Sequence, residues 1–518
     1  RNNNIMLSAI KALWLTLLPS ILHAQQQQQQ QQIITECNDE GKSNCATTSN
    51  RTCYQYEDDT TECGPCLIDF VEYEEVCYAI ADIGMDGFFL LSKAIEVFLP
   101  EYADPNVTTA QRAIRLIASA RVISYWNSQI PPAEFELELN EESLLTLDER
   151  QGRLGVDPSI TFDDTDSTRG EMETFQYDYV STDDGGSDST NDVMVEEGSN
   201  RKMRGLIKST NNERVLQDWD VPPSIDWAED GYTTKVKNQG ICGCCWAVSV
   251  AAAVESALMI TNQTSRYDSL DENSLSFQQM ISCDNKEKGC QGGNILQATK
   301  YVWEHDDFRN GNFGGLVSYE DWPYSDFLGT TTTECQVPEG VRPSAYLNYP
   351  QIVNSVNDRK RSFEERRDRV KAAVAKQPVT SVIRSSCDLL MNYKDGILTH
   401  DSECSCCETS CIDHAIVIVG YDSSAPTPFW KVRNSWGQGW GEEGHFRIAM
   451  NDPGCGWGLF GLMAEQAMPS QAYKTLEELP ERPGWWETAA NWEKALVILF
   501  SILGFCCLCG CLSALWKR

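Results

Sequence analysis

Asn238-Gln239-Gly240-Ile241-Cys242-Gly243-Cys244-Cys245-Trp246, running into Ala247-Val248-Ser249-Val250-Ala251-Ala252-Ala253-Val254-Glu255-Ser256-Ala257-Leu258, is the stretch on which the reading of this chain turns. The second run is long, apolar and rich in small residues, the pattern of a buried helix beginning near Cys245. A thiol at a helix start feels the positive end of the helix dipole, and a nearby imidazolium would add to it. Both favour the thiolate, which is the attacking species. Gln239, six residues upstream of Cys245 on a glycine-bounded turn, can aim its amide NH2 at a developing oxyanion together with the Cys245 backbone N–H. Removing one such donor typically costs about 10²–10³ in rate.

A thiol nucleophile needs a base, and the chain has five histidines. His23 lies in the leading apolar segment, His305 among acids, His400 in a loop and His445 in a glycine-rich strand. His414 opens Asp413-His414-Ala415-Ile416-Val417-Ile418-Val419-Gly420-Tyr421, a β-branched run typical of a buried strand with a functional residue at its end. A second strand pattern, Trp430-Lys431-Val432-Arg433-Asn434-Ser435-Trp436-Gly437, ends in an amide and an indole. Asn434 can hold the imidazole through its other ring nitrogen. The order Gln239, Cys245, His414, Asn434 supplies an oxyanion donor, a nucleophile, a base and an orienting amide, the parts of a thiol-dependent acyl transfer.

From about Val221 to Met468 the chain resembles the papain-like cysteine proteases of the cathepsin L type. Val221-Pro222-Pro223-Ser224-Ile225-Asp226-Trp227 looks like the family's mature N-terminus, Lys237 to Trp246 like its nucleophile motif, Gly289-Cys290-Gln291-Gly292-Gly293 like its substrate-cleft glycines, and Asp413-His414-Ala415 and Asn434-Ser435-Trp436-Gly437 like its base and orienting motifs. The resemblance implies an α+β, papain-like two-domain fold, with a helical left domain, a β-barrel-like right domain and the cleft between them. It implies that Trp436 shields the His414–Asn434 bond, and that Gly243, Gly292 and Gly293 line the cleft, Gly293 pairing with the substrate backbone. The pocket for the second residue before the scissile bond would be formed by Ile295, Val382, Ile412 and Phe460, none of them charged. Family analogy pairs Cys242 with Cys290, Cys283 with Cys335, and Cys404 with Cys455, with Cys406, Cys407 and Cys411 as open alternatives for Cys455. Two departures stand out: Cys244 replaces the usual serine, read as a small packed thiol rather than a redox latch, and the separation of Cys245 from His414 exceeds the family's about 130–150 residues. No cofactor and no metal are expected.

The 518 residues allow several domains, and 22 cysteines exceed what a reducing cytosol accommodates, so a disulfide-permissive endomembrane route is expected. Residues 1–24 read as a signal peptide, with Met6 as the initiator, and 25–36 as a polyglutamine segment. A six-cysteine module at 37–80, weakly like an epidermal-growth-factor-type repeat, has fifteen pairings open to it. Residues 84–155 form a mostly helical segment in which Arg112, Leu116, Ser119, Ile123 and Asn127 share a helical spacing. With Phe135-Glu136-Leu137-Glu138-Leu139-Asn140 it resembles the family's inhibitory propeptide, although Thr108, Ser119 and Glu142 replace the usual glutamate, asparagine and aromatic. Residues 156–220 form an acidic linker, read as disordered, and 221–468 the peptidase domain. The net charge of −34 argues against nucleic-acid partners; the expected partners are peptide substrates, the chain's own propeptide and a membrane. After a stalk at 469–494, residues 495–516 carry no charge and are long enough to span a bilayer, leaving 517–518 cytosolic. The expectation is a single-pass type I protein with its catalytic domain luminal or extracellular, in a lysosome or vacuole or at the cell surface. Asn50, Asn106 and Asn262 lie in glycosylation sequons. The rival reading is a catalytically silent adhesion or receptor protein that uses the same fold as a scaffold.

Overall fold

The computed structural model describes residues 88–156 and 221–478 with short breaks, together with the backbone of Glu173–Thr174 and of four short strands between Arg51 and Ala79. Those four strands form two antiparallel hairpins, Arg51–Gln55 with Thr61–Cys66 and Phe70–Tyr73 with Val76–Ala79. The expected signal peptide, module disulfides and bilayer span lie outside the described residues. From Thr475 onward the chain forms a second unit, of which the short turn Leu476–Glu478 is described.

Three helices, Cys245–Asn262, Phe277–Cys283 and Ile295–Trp303, build one apolar core around Trp246, Val250, Phe277, Met280 and Leu296. The first is apolar on every side because every side is covered. Among the described residues it is the one helix long and apolar enough to cross a membrane, and it is mostly buried as the core helix of this layer.

The second core gathers around a ten-stranded mixed sheet. Its central strand His414–Asp422 is flanked by Val379–Ile383 and Phe429–Arg433, and Phe429–Arg433 pairs on with His445–Ala449. The β-branched run that follows His414 is buried along nearly its whole length, which is why it lacks a polar alternation. The result is an α+β architecture in which the helix Cys245–Asn262 covers one face of the strand His414–Asp422, with Ala415, Val417 and Val419, and the helix Phe363–Val374 covers the other, with Ile416 and Ile418.

Residues 88–156 do not stand apart. The helix Thr109–Asn127 turns Arg112, Leu116, Ser119 and Ile123 inward, and Asn127 grips the backbone of Leu137 with both amide atoms, at 2.7 and 3.0 Å. This delivers Phe135–Leu137 as an added strand at the sheet's edge, antiparallel to Tyr393–Leu398. Arg112 makes a two-pronged bond to Glu149 at 2.5 and 2.7 Å, and Arg115 and Arg150 converge on Asp388 of the sheet layer.

Candidate active site

Cys245 is the first residue of its helix, and Cys244 stands at the cap position without capping by its side chain. The opposing wall is the start of the strand His414–Asp422. The Ala415 N–H donates to the Cys245 sulfur at 3.3 Å, so the two layers meet at the thiol. The His414 imidazole Nε2 is 2.8 Å from the Asn434 amide oxygen, while its Nδ1 has no hydrogen-bond partner. With Nε2 donating to an amide oxygen, Nδ1 is the nitrogen left with a lone pair, as a base requires. Trp436 lies across this pair, its ring 5.0 Å from the imidazole and 1 % exposed.

Gln239 is wholly buried. Ser435 Oγ donates to its Oε1 at 2.5 Å, so that Nε2 faces the cleft, where it donates to the carbonyls of Arg153 at 2.7 Å and Cys242 at 2.8 Å. The Gln239 amide thus holds a main-chain carbonyl of the preceding segment within the cleft. Beyond that carbonyl, Gly155 O accepts from Gly293 N at 2.8 Å and Val156 N donates to Asp413 O at 3.2 Å, so the chain that leaves the helix Leu147–Arg153 runs on through the cleft. A Cβ on Gly155 would come within 2.0 Å of Gly243 O, and one on Gly243 would meet Cys290 O at 2.6 Å; only paired glycines let the backbones pass this closely. Gly292 turns the cleft's rim in the left-handed region, at φ 114°.

Burial dominates the electrostatics. It pushes the Cys245 thiol up to about 12, against the pull of the Ala415 and Gly155 N–H groups, and pushes His414 down to about 4, against the Asn434 bond. At neutral pH the closed cleft therefore holds a thiol and a neutral imidazole. The expected thiolate is not the state found here, because residues 153–156 exclude the water that would solvate it, and that loss exceeds what the helix dipole supplies.

Of the four residues expected to form the specificity pocket, Ile295, Val382 and Ile412 share one apolar cluster, and Val156 packs against it. Phe460 falls in the sheet-side cluster instead. Its backbone is left-handed at φ 59°, and its carbonyl accepts from Arg384 N at 2.8 Å. A carboxyl group that sequence reasoning missed lies close by. Asn294, the residue before Ile295, donates to Glu465 at 3.0 Å, and burial pushes Glu465 up to about 7.

Cys242–Cys290 and Cys283–Cys335 are closed disulfides. The Cys404–Cys455 pairing is corrected: Cys404 bonds Cys387, Cys407 bonds Cys455 and Cys406 bonds Cys411. The chain alternates here, with Cys404 and Cys406 facing inward and Cys407 outward. Buried Cys404 therefore meets buried Cys387, while exposed Cys455 meets exposed Cys407. Of the described sequon asparagines, Asn106 is exposed, whereas Asn262 is partly buried and donates to Leu258 O at 2.7 Å.

Comparison with known proteins covers the part of the chain that holds these residues. The pattern described as papain family cysteine protease matches residues 221–462. Zingipain-2 of Zingiber officinale is 35% identical over 232 residues, 45% of this chain and 89% of that protein. Cysteine proteinase EP-B 1 of Hordeum vulgare is 35% identical over 272 residues, 52% of this chain and 64% of that protein. Several relatives, EP-B 1 and ananain of Ananas comosus among them, are thus matched over less than two thirds of their own length. Among solved structures, the proform of the ragweed Amb a 11 cysteine protease aligns with a TM-score of 0.51 at 24% identity, over 75% of this chain and 95% of that one. A recombinant stem bromelain precursor aligns with 0.51 at 23%, over 75% and 98%. At those identities the structural likeness is one of fold, and it extends through the segment that precedes the matched domain. The sequence relatives carry the assignment further: the chain belongs to the papain family of cysteine proteases.

Proposed function

We propose that the chain is a cysteine endopeptidase made as a zymogen, with Cys245, His414 and Asn434 as its triad and Gln239 as oxyanion donor. The observation that carries this reading is residues 153–156 lying in the cleft with a carbonyl on Gln239 Nε2, as a bound peptide would. Once that segment leaves, water and the helix start favour the thiolate. His414 Nδ1 takes the Cys245 proton, the thiolate attacks the substrate carbonyl, His414 gives that proton to the leaving amine, and water hydrolyses the acyl-enzyme. Residues 84–155 act as the inhibitory propeptide. The apolar segment 495–516 anchors the enzyme on the luminal or extracellular side of a membrane, and Asn50, Asn106 and Asn262 are its glycan acceptors.

The ion pairs set the pH at which the zymogen opens. Burial alone would raise the Asp388 carboxyl, but the Arg150 and Arg115 guanidiniums overcome it and hold Asp388 below its ordinary value. For Glu149, burial is likewise outweighed, here by Arg112 and by the Thr146 and Asp104 amides. A depressed carboxyl stabilises the docked state fully above its free value, about 4, and that contribution is lost only as the pH falls through the depressed value. Full-length precursor should therefore stay closed at pH 5 and open only below about pH 4. The test is labelling of Cys245 by a thiol-directed epoxide across this range. Complete opening at pH 5.5 would assign the trigger to another group. Absence of labelling at every pH, or labelling that survives Cys245→Ala, would favour the silent scaffold.

Specificity follows from the apolar cluster that holds Ile295, Val382 and Ile412 and against which Val156 packs. Burying an unpaired basic side chain there costs several kcal/mol, whereas Leu, Val or Phe gains roughly 1.5–3. At pH 5, where Glu465 is neutral, apolar residues at the second position before the scissile bond should exceed arginine by at least about tenfold in kcat/KM. The gap should narrow as the pH rises through 7 and the carboxylate forms. Fluorogenic dipeptides carrying Leu, Val, Phe and Arg measure this, and equal turnover of the arginine substrate at pH 5 would show the pocket to be misplaced.

A further inference from the structure

Gln239 is held from outside the cleft as well as from within it. We propose that Tyr324, backed by Cys244, is the positioning residue that fixes Gln239 for oxyanion binding, an inference that rests on the peptidase reading above. The Tyr324 hydroxyl donates to the Gln239 carbonyl at 2.5 Å. Gln239 is 0% exposed, so no water replaces that donor if it is lost, and a buried carbonyl left unpaired drives the backbone to move. The other main-chain atom of the residue, N–H, donates to Ser435 O at 3.0 Å, and Ser435 Oγ orients the side chain.

The next residue makes the carbonyl tie necessary. Gly240 sits at φ +61°, and a Cβ there would lie 2.2 Å from Phe327 O. A glycine is thus required behind the oxyanion donor, and it frees the Gln239–Gly240 peptide unit to rotate unless the unit is tied; Gly240 N–H donates to Asn238 Oδ1 at 3.0 Å on one side, and the Gln239 carbonyl needs its own tie on the other. Tyr324 supplies the anchor and is itself immobile. Its ring lies 4.6 Å from that of Phe277. Its neighbours are tied to the same helix region: Ser276 Oγ donates to Trp322 O at 2.6 Å, Ser325 N to Gln278 Oε1 at 2.9 Å and Gln278 Nε2 to Asp326 at 2.7 Å. The placement of Gln239 is therefore referred to the helix Phe277–Cys283.

Cys244 completes the arrangement. Its sulfur is 3.6 Å from the Tyr324 hydroxyl, and burial pushes both the thiol and the phenol far above their ordinary values. Each keeps its proton at any working pH, so the thiol can donate to the phenol oxygen while the phenol donates to Gln239. Cys244 serves the oxyanion side of the site rather than the redox state of its neighbour.

The test compares wild type, Tyr324→Phe, Gln239→Ala and the double variant, each expressed as the full chain and processed by acid. Tyr324→Phe keeps the ring against Phe277 and removes only the hydroxyl. Its kcat per titrated active site should fall about tenfold, with KM changed by less than about twofold. Affinity for a peptide aldehyde, whose adduct oxygen occupies the oxyanion position, should weaken by the same factor. In the Gln239→Ala background the second substitution should cost nothing further. Normalising to titrated sites separates partial folding, which lowers the titre, from mispositioning, which lowers kcat. An unchanged kcat, or the full loss repeated in the Gln239→Ala background, overturns the assignment. A wild-type protein without thiol-dependent turnover would sink the peptidase reading as well, and is told apart by failing before any variant is compared.

Discussion

Alanine at Cys245 should lower kcat/KM by on the order of 10⁶, as loss of the nucleophile does when the parts of a triad act as a unit. The substitution removes one sulfur from a fully buried site and leaves Ala415 N without its acceptor, so folding should survive. His414→Ala should cost nearly as much, and the double variant little more than either alone, because an imidazole without a thiol to deprotonate has no proton to move. A fluorogenic peptide assay on acid-processed protein reads this directly. Activity above about one hundredth of wild type in Cys245→Ala would mean that bond cleavage does not pass through this thiol.

Precursor carrying Glu142→Gln should populate its open state about a hundredfold more at neutral pH. Glu142 is 0 % exposed and Arg153, whose carbonyl occupies the Gln239 donor, is 1 % exposed; the two form an ion pair inside the zymogen. Arg153 also lies 5.4 Å over the Trp436 ring, so this one residue touches the oxyanion donor and the indole that covers His414. Breaking a buried pair by removing one partner typically costs about 3–5 kcal/mol. Glu141, at 3.9 Å from Arg153, recovers part of it, so the lower end applies, about 10² in the closed-to-open equilibrium. The rate at which an epoxide labels Cys245 in uncut precursor at pH 7 should rise by that factor, and Glu142→Asp should retain part of the wild-type protection. Labelling of Glu142→Gln at the wild-type rate would remove this pair from the inhibitory mechanism.

The parts of the site that were legible in the sequence share one property, that a short motif carries both the chemistry and its local geometry. Cys245 before an apolar run, His414 before a β-branched one and Asn434 before Trp436 each announce the element on which they sit. What was not legible depends on partners distant in the chain. Glu142 reads as a polar residue where the family usually has an aromatic, and its meaning emerges only when Arg153 folds back beside it. The family pairing of Cys404 with Cys455 fails because residues 404–407 alternate inward and outward, and analogy by position treats buried and exposed thiols alike. Glu465 is hidden among small and apolar neighbours, with nothing local to show that Asn294 reaches it. Phe460 joins the pocket by family position alone, and neither that position nor local sequence anticipates a left-handed backbone at a bulky residue.

The occupied cleft also bears on how the nucleophile survives until it is needed. Cys244 and Cys245 have no disulfide partner, whereas the other cysteines from Cys242 to Cys455 are paired. Thiol–disulfide exchange and oxidation to sulfenic acid both proceed through the thiolate and need access to it. A Cys245 held at about 12 and sealed beneath Gly155 offers neither. In the zymogen proposed above, the segment that would keep substrate from the thiol would also keep oxidants from it, a chemical preservative until it departs.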